Sequence, residues 1–361
     1  AQLHEYRACP PSGDNCCSRS WNGALETPQK RRRRQCVEVN ALALADGRLP
    51  TFLFDFRAVT PYKSAAFRYR TGAMNATPRS LDQLRNEIDA IDRELHALIR
   101  RRGGLAGEIA EIKKRDGLDK VRPGREAMLL RALVARHDGA LPVGSVLRIW
   151  RELISSLVAM EMPEYSVAVY ATGDDQSCWD LARDQFGSHT PMTVHPSGRE
   201  AIAQVFDGTA SLAVVPSPTE DAVGAWWRNL CALNAPRILY RLPFAGRGNA
   251  RGDGGDGPDA LAIGRMTAEE TGDDRTVLVL ETDGNLSRTG LSEILTSSNL
   301  RPTLLAPDAA GARLCYAEVE GFVDQVDDMR LKLLEGRDSI ERVTIIGNYA
   351  TPMGDLATTG D

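Results

Sequence analysis

A hydrophobic seam over residues 81–112, interrupted by one arginine, constrains the fold of this chain more than any other feature. Its apolar members recur at steps of three and four, the repeat of a coiled-coil helix. They are Leu81, Leu84, Ile88, Ile91, Leu95, Leu98, Leu105, Ile109 and Ile112. The position of the repeat between Leu98 and Leu105 is Arg102. Because a cation on a buried seam is costly unless it is paired, the seam predicts a helical bundle that binds an anion.

The composition argues against several classes of protein. The chain has 361 residues, enough for two or three domains, and a formal net charge of -5. This charge gives no overall attraction to nucleic acid or to an anionic membrane. No apolar run reaches the roughly 18 residues that a membrane span needs. The seven cysteines show no metal-ligand spacing, so we expect no metal site, no disulfide framework and a cytoplasmic location.

Residues 1–73 differ in composition from the rest of the chain. They show no apolar period and contain the basic run Lys30–Arg34, and the first methionine is Met74, just ahead of a helix start. We expect this segment to be disordered or foreign to the native product. The alternative to a disordered or foreign segment is a nucleic-acid-binding patch at Lys30–Arg34, and only this basic run supports it.

Residues 78–162 predict three helices. The first begins near Ser80, which can cap it, and runs to about Arg115. Gly103-Gly104 lies in its middle and favours a break into a hairpin, but the apolar rhythm resumes in phase at Leu105, which predicts one continuous helix. The second spans roughly residues 124–137 and the third roughly 144–162.

The pattern changes to short strands alternating with helices from residue 165 onward. Residues 165–244 predict an α/β lobe, and the Gly- and Asp-rich residues 245–258 predict a linker. Residues 259–353 follow the order β-α-β-β-α-β, which is typical of ferredoxin-like domains. The fold class is therefore multidomain: a helical domain, an α/β lobe and a ferredoxin-like domain.

Helical geometry predicts which charged residues share a pocket. Arg102 and Lys113 are 11 positions apart and lie about 20° apart around the axis, so they face one pocket. Arg85 lies roughly 100° away from Arg102 and serves the equivalent pocket of a second copy if two long helices pair. Arg125-Glu126 opens the second helix and Glu161 closes the third. Such a pocket suits a small dianion.

Residues 80–162 resemble the all-helical chorismate mutase domain of bacterial bifunctional mutase–dehydratases. The shared residues and motifs are Leu84-Arg85-x-x-Ile88-x-x-Ile91-Asp92-x-x-Leu95, Leu98-x-x-x-Arg102, Leu105-Ala106, Lys113, Arg125-Glu126 and Trp150-Arg151-Glu152-Leu153-Ile154-Ser155. The resemblance implies an intertwined homodimer whose long first helices cross, with Arg85 supplied across the interface.

The reaction that the resemblance implies is the pericyclic rearrangement of chorismate to prephenate, without a cofactor. Arg85 and Arg102 would hold the two substrate carboxylates, and Lys113 would donate to a carboxylate and the ether oxygen. Glu126 would receive the ring hydroxyl, and Arg125 would support the site. Catalysis would come from selecting a compact conformer and from donors aimed at the developing charge.

The chain departs from this family at three positions. Glu161 aligns with the glutamine that usually donates to the ether oxygen, and a glutamate donates only when protonated. We therefore expect a mutase optimum on the acidic side that Glu161→Gln removes. Leu157 aligns with a position that is usually serine in this family, and Arg122 occupies a position where the family commonly has a small acidic residue.

Residues 166–350 resemble, more weakly, a prephenate dehydratase region followed by an ACT regulatory domain. The matching segments are 207–216 and 345–349. The dehydratase family's Thr-Arg-Phe motif has no counterpart near 236–244, and Ser217-Pro-Thr-Glu220 replaces its Glu-Asn-Ser. We infer a degenerate, non-dehydrating module with a structural or regulatory role, for which an aromatic amino acid is the candidate effector. The alternatives are a working mutase–dehydratase and a non-enzymatic ACT-type sensor.

Overall fold

The computed structural model describes residues 79–218, 225–246, 259–308, 313–324 and 328–354. The predictions for residues 1–73 and for a start at Met74 fall outside these ranges, as does most of the predicted linker. The described residues form three helices followed by a sheet-containing part.

The first helix, α1, covers the predicted seam. It runs over Leu81–Asp116 without a break at its paired glycines, as the phase of the seam predicts. A capping box starts it, in which the Ser80 hydroxyl accepts from the Gln83 amide and the Gln83 side chain accepts from the Ser80 amide. Gly117, with a φ of 66°, ends it in the left-handed conformation that glycine adopts without strain.

Two shorter helices complete the predicted helical domain. They are α2 over Pro123–Arg136 and α3 over Val143–Glu161. Their apolar faces pack together through Leu130 of α2 and Leu147 of α3, both almost fully buried. No residue of α1 is buried. The helical domain of one copy therefore has a core between α2 and α3 and an uncovered long helix.

The described remainder of the chain forms one sheet of nine strands. The strands are β1 (Val167–Tyr170), β2 (Met192–His195), β3 (Leu212–Pro216), β4 (Arg237–Leu242), β5 (Ala260–Gly264), β6 (Asp274–Thr282), β7 (Pro302–Pro307), β8 (Leu314–Glu320) and β9 (Ile340–Ala350). The helices are α4 (Ser177–Phe186), α5 (Gly198–Phe206), α6 (Arg288–Ser297) and α7 (Met329–Glu335), with a 3₁₀ turn at Trp226–Cys231. The spatial strand order is β2-β1-β3-β5-β4-β9-β6-β8-β7.

The first five strands build the α/β lobe. Strands β2, β1 and β3 are parallel, and α4 and α5 connect them. Strand β5 pairs antiparallel with both β3 and β4 and lies between them. The first strand after the predicted linker thus joins the sheet of the lobe.

The last four strands follow the predicted order of elements, β6-α6-β7-β8-α7-β9. Their spatial order is β9-β6-β8-β7, with antiparallel neighbours throughout. Strand β9 also pairs parallel with β4, where Gly347 lies opposite Ile238. A Cβ at Gly347 would overlap Ile238, so a side chain there would separate the two strands.

The helical domain packs directly on the sheet-containing part. Arg131 of α2 donates to the Thr271 hydroxyl at 2.8 Å, to the Asp273 carbonyl at 2.7 Å and to the Thr351 carbonyl at 2.8 Å. Phe244, which follows β4, is buried in the same cluster as Leu130. Helix α2 therefore lies in a single cluster that joins the helical domain to the sheet-containing part.

Candidate active site

Arg102 lies half-buried on α1. Its Nη1 atom is fully buried and has no hydrogen-bond partner among the described residues. An unsatisfied buried donor costs about 1–3 kcal/mol, and more when it is charged. An anion placed against this nitrogen would remove that cost.

Lys113 and Glu161 form the second element of the site. The Lys113 Nζ lies 3.4 Å from Glu161 Oε2 and donates to the Lys120 carbonyl at 2.6 Å. The two side chains are only 17% and 11% exposed. Lys120 Nζ in turn donates to the Glu161 carbonyl at 3.2 Å. The end of α1, the segment after it and the end of α3 therefore converge on one cation–carboxylate pair.

A cleft of about 280 Å³ separates α1 from α3 and adjoins this pair. Glu161 lines it, and the α1 wall includes the small residues Gly103, Ala106, Gly107 and Ala110 beside the charged Glu111 and Lys114. These residues recur at three and four positions and so lie on one face of the helix. A Cβ at Gly103 or Gly107 would meet no heavy atom within 4 Å. The glycines therefore keep open space beside Glu161.

Glu126 makes contacts with three other elements. Its Oε1 accepts from Arg151 Nη1 of α3 at 3.2 Å and from Gln185 Nε2 of α4 at 2.9 Å. Its Oε2 accepts from the Tyr240 hydroxyl of β4 at 3.4 Å. The side chains of Glu126 and Arg151 are 13% and 8% exposed. We call these four residues the interdomain network.

Burial dominates the electrostatics of this network. Desolvation raises the pKa of Glu126, while the charge of Arg151 and the hydrogen bond from Tyr240 oppose the rise. Desolvation likewise lowers the pKa of Arg151, and the Glu126 carboxylate opposes that shift. The pKa of the Tyr240 hydroxyl is raised well above its usual range, first by burial and then by Glu126, so the tyrosine is a neutral donor.

The other predicted site residues are exposed in a single copy. Arg85 is 66% exposed, and its Nη1 lies 3.8 Å from Asp82 of the same helix. Arg125 is exposed at the start of α2. The described structure thus brings Lys113 and Glu161 together, places Arg102 on the same helix as Lys113, and leaves Arg85 exposed, with Asp82 as its neighbour.

Sequence reasoning missed three participants. Lys120, Gln185 and Tyr240 follow no spacing that relates them to the helical site, and Arg151 was noticed only as part of a matching motif. Arg122, which departs from the family pattern, pairs with Glu269 beyond the lobe. The contacts of these residues join segments that are far apart in the chain, and a local periodicity in the sequence does not predict such contacts.

Two features are absent from the residues that the structure describes. None of the described helices combines the length and the apolar character that a membrane crossing requires. Within the same residues, no three His, Cys, Asp or Glu side chains gather in a way that could hold a metal ion.

Comparison with known proteins identifies the helical domain. Residues 84–162 match the family model of chorismate mutase type II. This confirms the family recognised from the seam and the charged spacing. A bifunctional chorismate mutase/prephenate dehydratase from Pseudomonas aeruginosa is 33% identical over 150 residues, which is 40% of this chain and 40% of that protein. The protein of the same name from Neisseria gonorrhoeae is 31% identical over 152 residues, 40% of this chain and 41% of that protein.

The matches to these relatives thus span about two fifths of their length. Among solved structures, a prephenate dehydratase from Streptococcus mutans shows 16% identity, a TM-score of 0.39, and coverage of 52% of this chain and 98% of that one. A prephenate dehydratase from Arthrobacter aurescens in complex with L-Phe shows 13% identity, a TM-score of 0.38, and coverage of 54% and 93%. At such TM-scores these likenesses carry no weight for the chemistry of the sheet-containing part.

Proposed function

We propose that this protein is a chorismate mutase that converts chorismate to prephenate in the helical domain of a homodimer. The observation that carries the proposal is the buried Nη1 of Arg102, which has no partner in the part of the chain that the structure describes and lies on the helix that also carries Lys113. Two cations on one helix face suit a substrate with two carboxylates. The match of residues 84–162 to chorismate mutase type II supports the same reaction.

The proposed mechanism uses only positioning and electrostatics. Arg102, with Arg85 from the second copy, holds the two carboxylates and so selects the compact conformer in which the new carbon–carbon bond forms. Lys113 donates to one carboxylate and to the ether oxygen, where negative charge develops as the carbon–oxygen bond breaks. No proton is transferred and no covalent intermediate forms, so the site needs no nucleophile.

Glu161 has a distinct part in this proposal. Its carboxyl group lies beside Lys113 and lines the cleft between α1 and α3. When protonated, it donates a second hydrogen bond to the ether oxygen; when ionised, it repels the developing charge. The proposal therefore predicts that a neutral donor at this position, as in Glu161→Gln, raises mutase turnover.

A second copy of the chain is part of the proposal because α1 is uncovered. Its apolar side chains are 40–61% exposed along a helix of 36 residues, about 54 Å long at 1.5 Å per residue. An apolar stripe of this length on an isolated surface is unfavourable in water. Pairing with the same helix of another copy buries the stripe and carries Arg85 to the opposite site.

A bifunctional mutase–dehydratase is the second candidate, favoured by the names of the relatives from Pseudomonas aeruginosa and Neisseria gonorrhoeae. Formation of phenylpyruvate from prephenate by the purified protein would establish it. A response of mutase turnover to added phenylalanine or tyrosine would indicate an aromatic amino-acid effector. Amino-acid binding without any turnover of chorismate or prephenate would instead favour a non-enzymatic ACT-type sensor.

The test of the leading proposal is the loss of chorismate measured directly, with Arg102→Ala against Arg101→Ala. Arg101 is the neighbouring, exposed arginine of α1 and serves as the matched control. We expect turnover in the wild type and in Arg101→Ala and a loss of about 100-fold or more in Arg102→Ala, the scale for removing one donor from a preorganised anion site. Equal turnover of the two variants, or none in the wild type, would contradict the proposal.

A further inference from the structure

Two chain segments meet next to Lys113, one from the helical domain and one from the sheet-containing part. The α1–α2 segment, residues 117–122, connects α1 to α2, and the β5–β6 segment, residues 265–273, connects β5 to β6. The residues that line a cavity of about 440 Å³ between them include Lys113, Asp119 and Glu269. The sheet-containing part therefore extends to the end of α1 that carries Lys113.

The α1–α2 segment holds both the main chain and the side chain of Lys113. The Leu118 amide donates to the Lys113 carbonyl at 2.9 Å. The Lys113 ammonium donates to the Lys120 carbonyl at 2.6 Å and lies 3.4 Å from Glu161 Oε2. These two side-chain contacts occupy two of the three donor positions of an ammonium group. The position of the Lys120 carbonyl therefore helps to determine the direction of the third donor.

The β5–β6 segment contacts the α1–α2 segment on both sides of Lys120. The Thr267 amide donates to Asp119 Oδ2 at 2.8 Å. The Arg122 Nε atom donates to Glu269 Oε1 at 2.7 Å, and Arg122 Nη2 contacts the same oxygen. Because Asp119 and Arg122 flank Lys120 in the chain, the two contacts together restrain the Lys120 carbonyl.

Packing reinforces these polar contacts. Val121 of the α1–α2 segment is buried, and Met266 and Ala268 of the β5–β6 segment pack against the cluster that contains it. At the start of α2 the two chains approach closely, because a Cβ at Gly124 would lie 2.8 Å from the Cβ of Glu269 and 2.9 Å from its carbonyl oxygen. The two segments therefore contact each other through polar groups, an apolar cluster and a close main-chain approach.

We propose that the β5–β6 segment positions Lys113 for the mutase reaction, with Asp119 and Arg122 as the positioning residues of the helical domain. Both residues hold the Lys120 carbonyl, which directs the Lys113 ammonium toward the ether oxygen of the substrate. This inference rests on the proposed function. It gives the sheet-containing part a role in the first reaction, and it gives a partner to Arg122, which departs from the family pattern. Neither Asp119 nor Arg122 touches substrate in this account.

The expected effect is on the chemical step. A donor to the ether oxygen acts where negative charge develops in the transition state, and a misplacement of about 1 Å can cost about 100-fold in rate. Loss of one of the two restraints leaves the other in place, so we expect a smaller loss of kcat, about tenfold. The arginines still hold the substrate carboxylates, so KM should change less than about threefold.

Four variants separate positioning from general stabilisation. Asp119→Ala removes the acceptor of the Thr267 amide, whereas Asp119→Asn keeps an oxygen that can accept from it. Arg122→Ala removes the second contact. Arg148→Ala is the matched control, because Arg148 also pairs with a carboxylate of the lobe, Asp184 of α4, at 3.0 Å. The side chain of Arg148 is 52% exposed and that of Arg122 is 51% exposed, so the two alanine variants remove similar interdomain pairs.

The experiment measures kcat and KM for chorismate in full-length wild type and in the four variants. We expect kcat to fall about tenfold in Asp119→Ala and Arg122→Ala, and to stay within about twofold of the wild type in Asp119→Asn and Arg148→Ala. Asp119→Ala is also combined with Lys113→Met. Because the restraint acts through the ammonium group, the double variant should be no slower than Lys113→Met alone, whereas a general loss of structure would lower kcat again.

The outcomes separate this proposal from the one beneath it. Absence of mutase turnover in the wild type overturns the proposed function and this inference together. Wild-type turnover with Asp119→Ala and Arg122→Ala indistinguishable from Arg148→Ala overturns this inference alone, as does a further fall of kcat when Asp119→Ala is added to Lys113→Met. If one of the two alanine variants fails to fold, as judged by its circular dichroism, the other decides between these results.

Discussion

Removing Arg151 should destabilise the protein through Glu126. In Arg151→Met the methionine fills much of the arginine volume, but the buried Glu126 carboxylate loses the cation that lies 3.2 Å away. Breaking a buried pair by removing one partner costs about 3–5 kcal/mol. Gln185 and Tyr240 still donate to Glu126, so we expect the lower end, about 3 kcal/mol, out of a typical total of roughly 5–15 kcal/mol.

The pH dependence of this variant follows from the sign of the Glu126 shift. Burial raises the pKa of Glu126, and Arg151 opposes the rise. Without Arg151 the folded-state pKa lies further above the unfolded value. A carboxyl group shifted upward favours the folded state below the unfolded pKa and loses that contribution as pH rises through the folded pKa. Arg151→Met should therefore recover stability as pH falls from 7 toward 5.

The assay is urea unfolding of Arg151→Met, Glu126→Gln and the double variant at pH 7 and pH 5. The double variant leaves neither a buried charge nor a titrating carboxyl group at this position. We expect it to be more stable at pH 7 than Arg151→Met and to lack the recovery at pH 5. A cost below about 1 kcal/mol for Arg151→Met, or strictly additive single costs, would refute a desolvated and coupled pair.

Two further predictions concern the dimer and the mutase chemistry. Leu95→Asp places a charge on the exposed seam of α1 and should shift the sedimentation coefficient toward that of the monomer. Ala97→Asp, about 200° around the same helix, is the control and should leave the dimer intact. Equal sedimentation of the two variants would show that the seam is not the interface. Glu161→Gln supplies a donor at every pH, so its turnover at pH 7 should exceed that of the wild type. A flat profile from pH 5 to 8 in both forms would remove the proposed part of the protonated carboxyl group.

The helical part of this protein was predictable because its signals are local. The three-and-four rhythm fixes the phase of α1, and the phase places Arg102 and Lys113 on one face. The pairing of Lys113 with Glu161, 48 positions away, required the third helix to return alongside the first. The family resemblance predicted a pocket that includes Glu161, whereas the periodicity of α1 alone predicted only its cations, Arg102 and Lys113.

The sheet topology and the interdomain network were beyond the same reasoning. Strand β5 reads as the start of a new domain, yet it pairs between β3 and β4. Glu126 is 59 positions from Gln185 and 114 from Tyr240, and no repeat relates them. Pairings of this kind depend on the packing of the whole chain, in which most buried polar groups find a partner.

This packing gives the lobe a structural role beside the helical domain that does not depend on any chemistry of its own. Leu130 and Leu133 of α2 are 1% and 4% exposed, and their cluster includes Phe244 from the lobe and Ala350 from the end of β9. Without these neighbours, α2 would present apolar side chains to water at roughly 25 cal/mol per Å². Glu126 would also lose two of its three donors. The sheet-containing part is thus a structural component of the helical domain, and a loss of its own chemistry leaves that contribution unchanged.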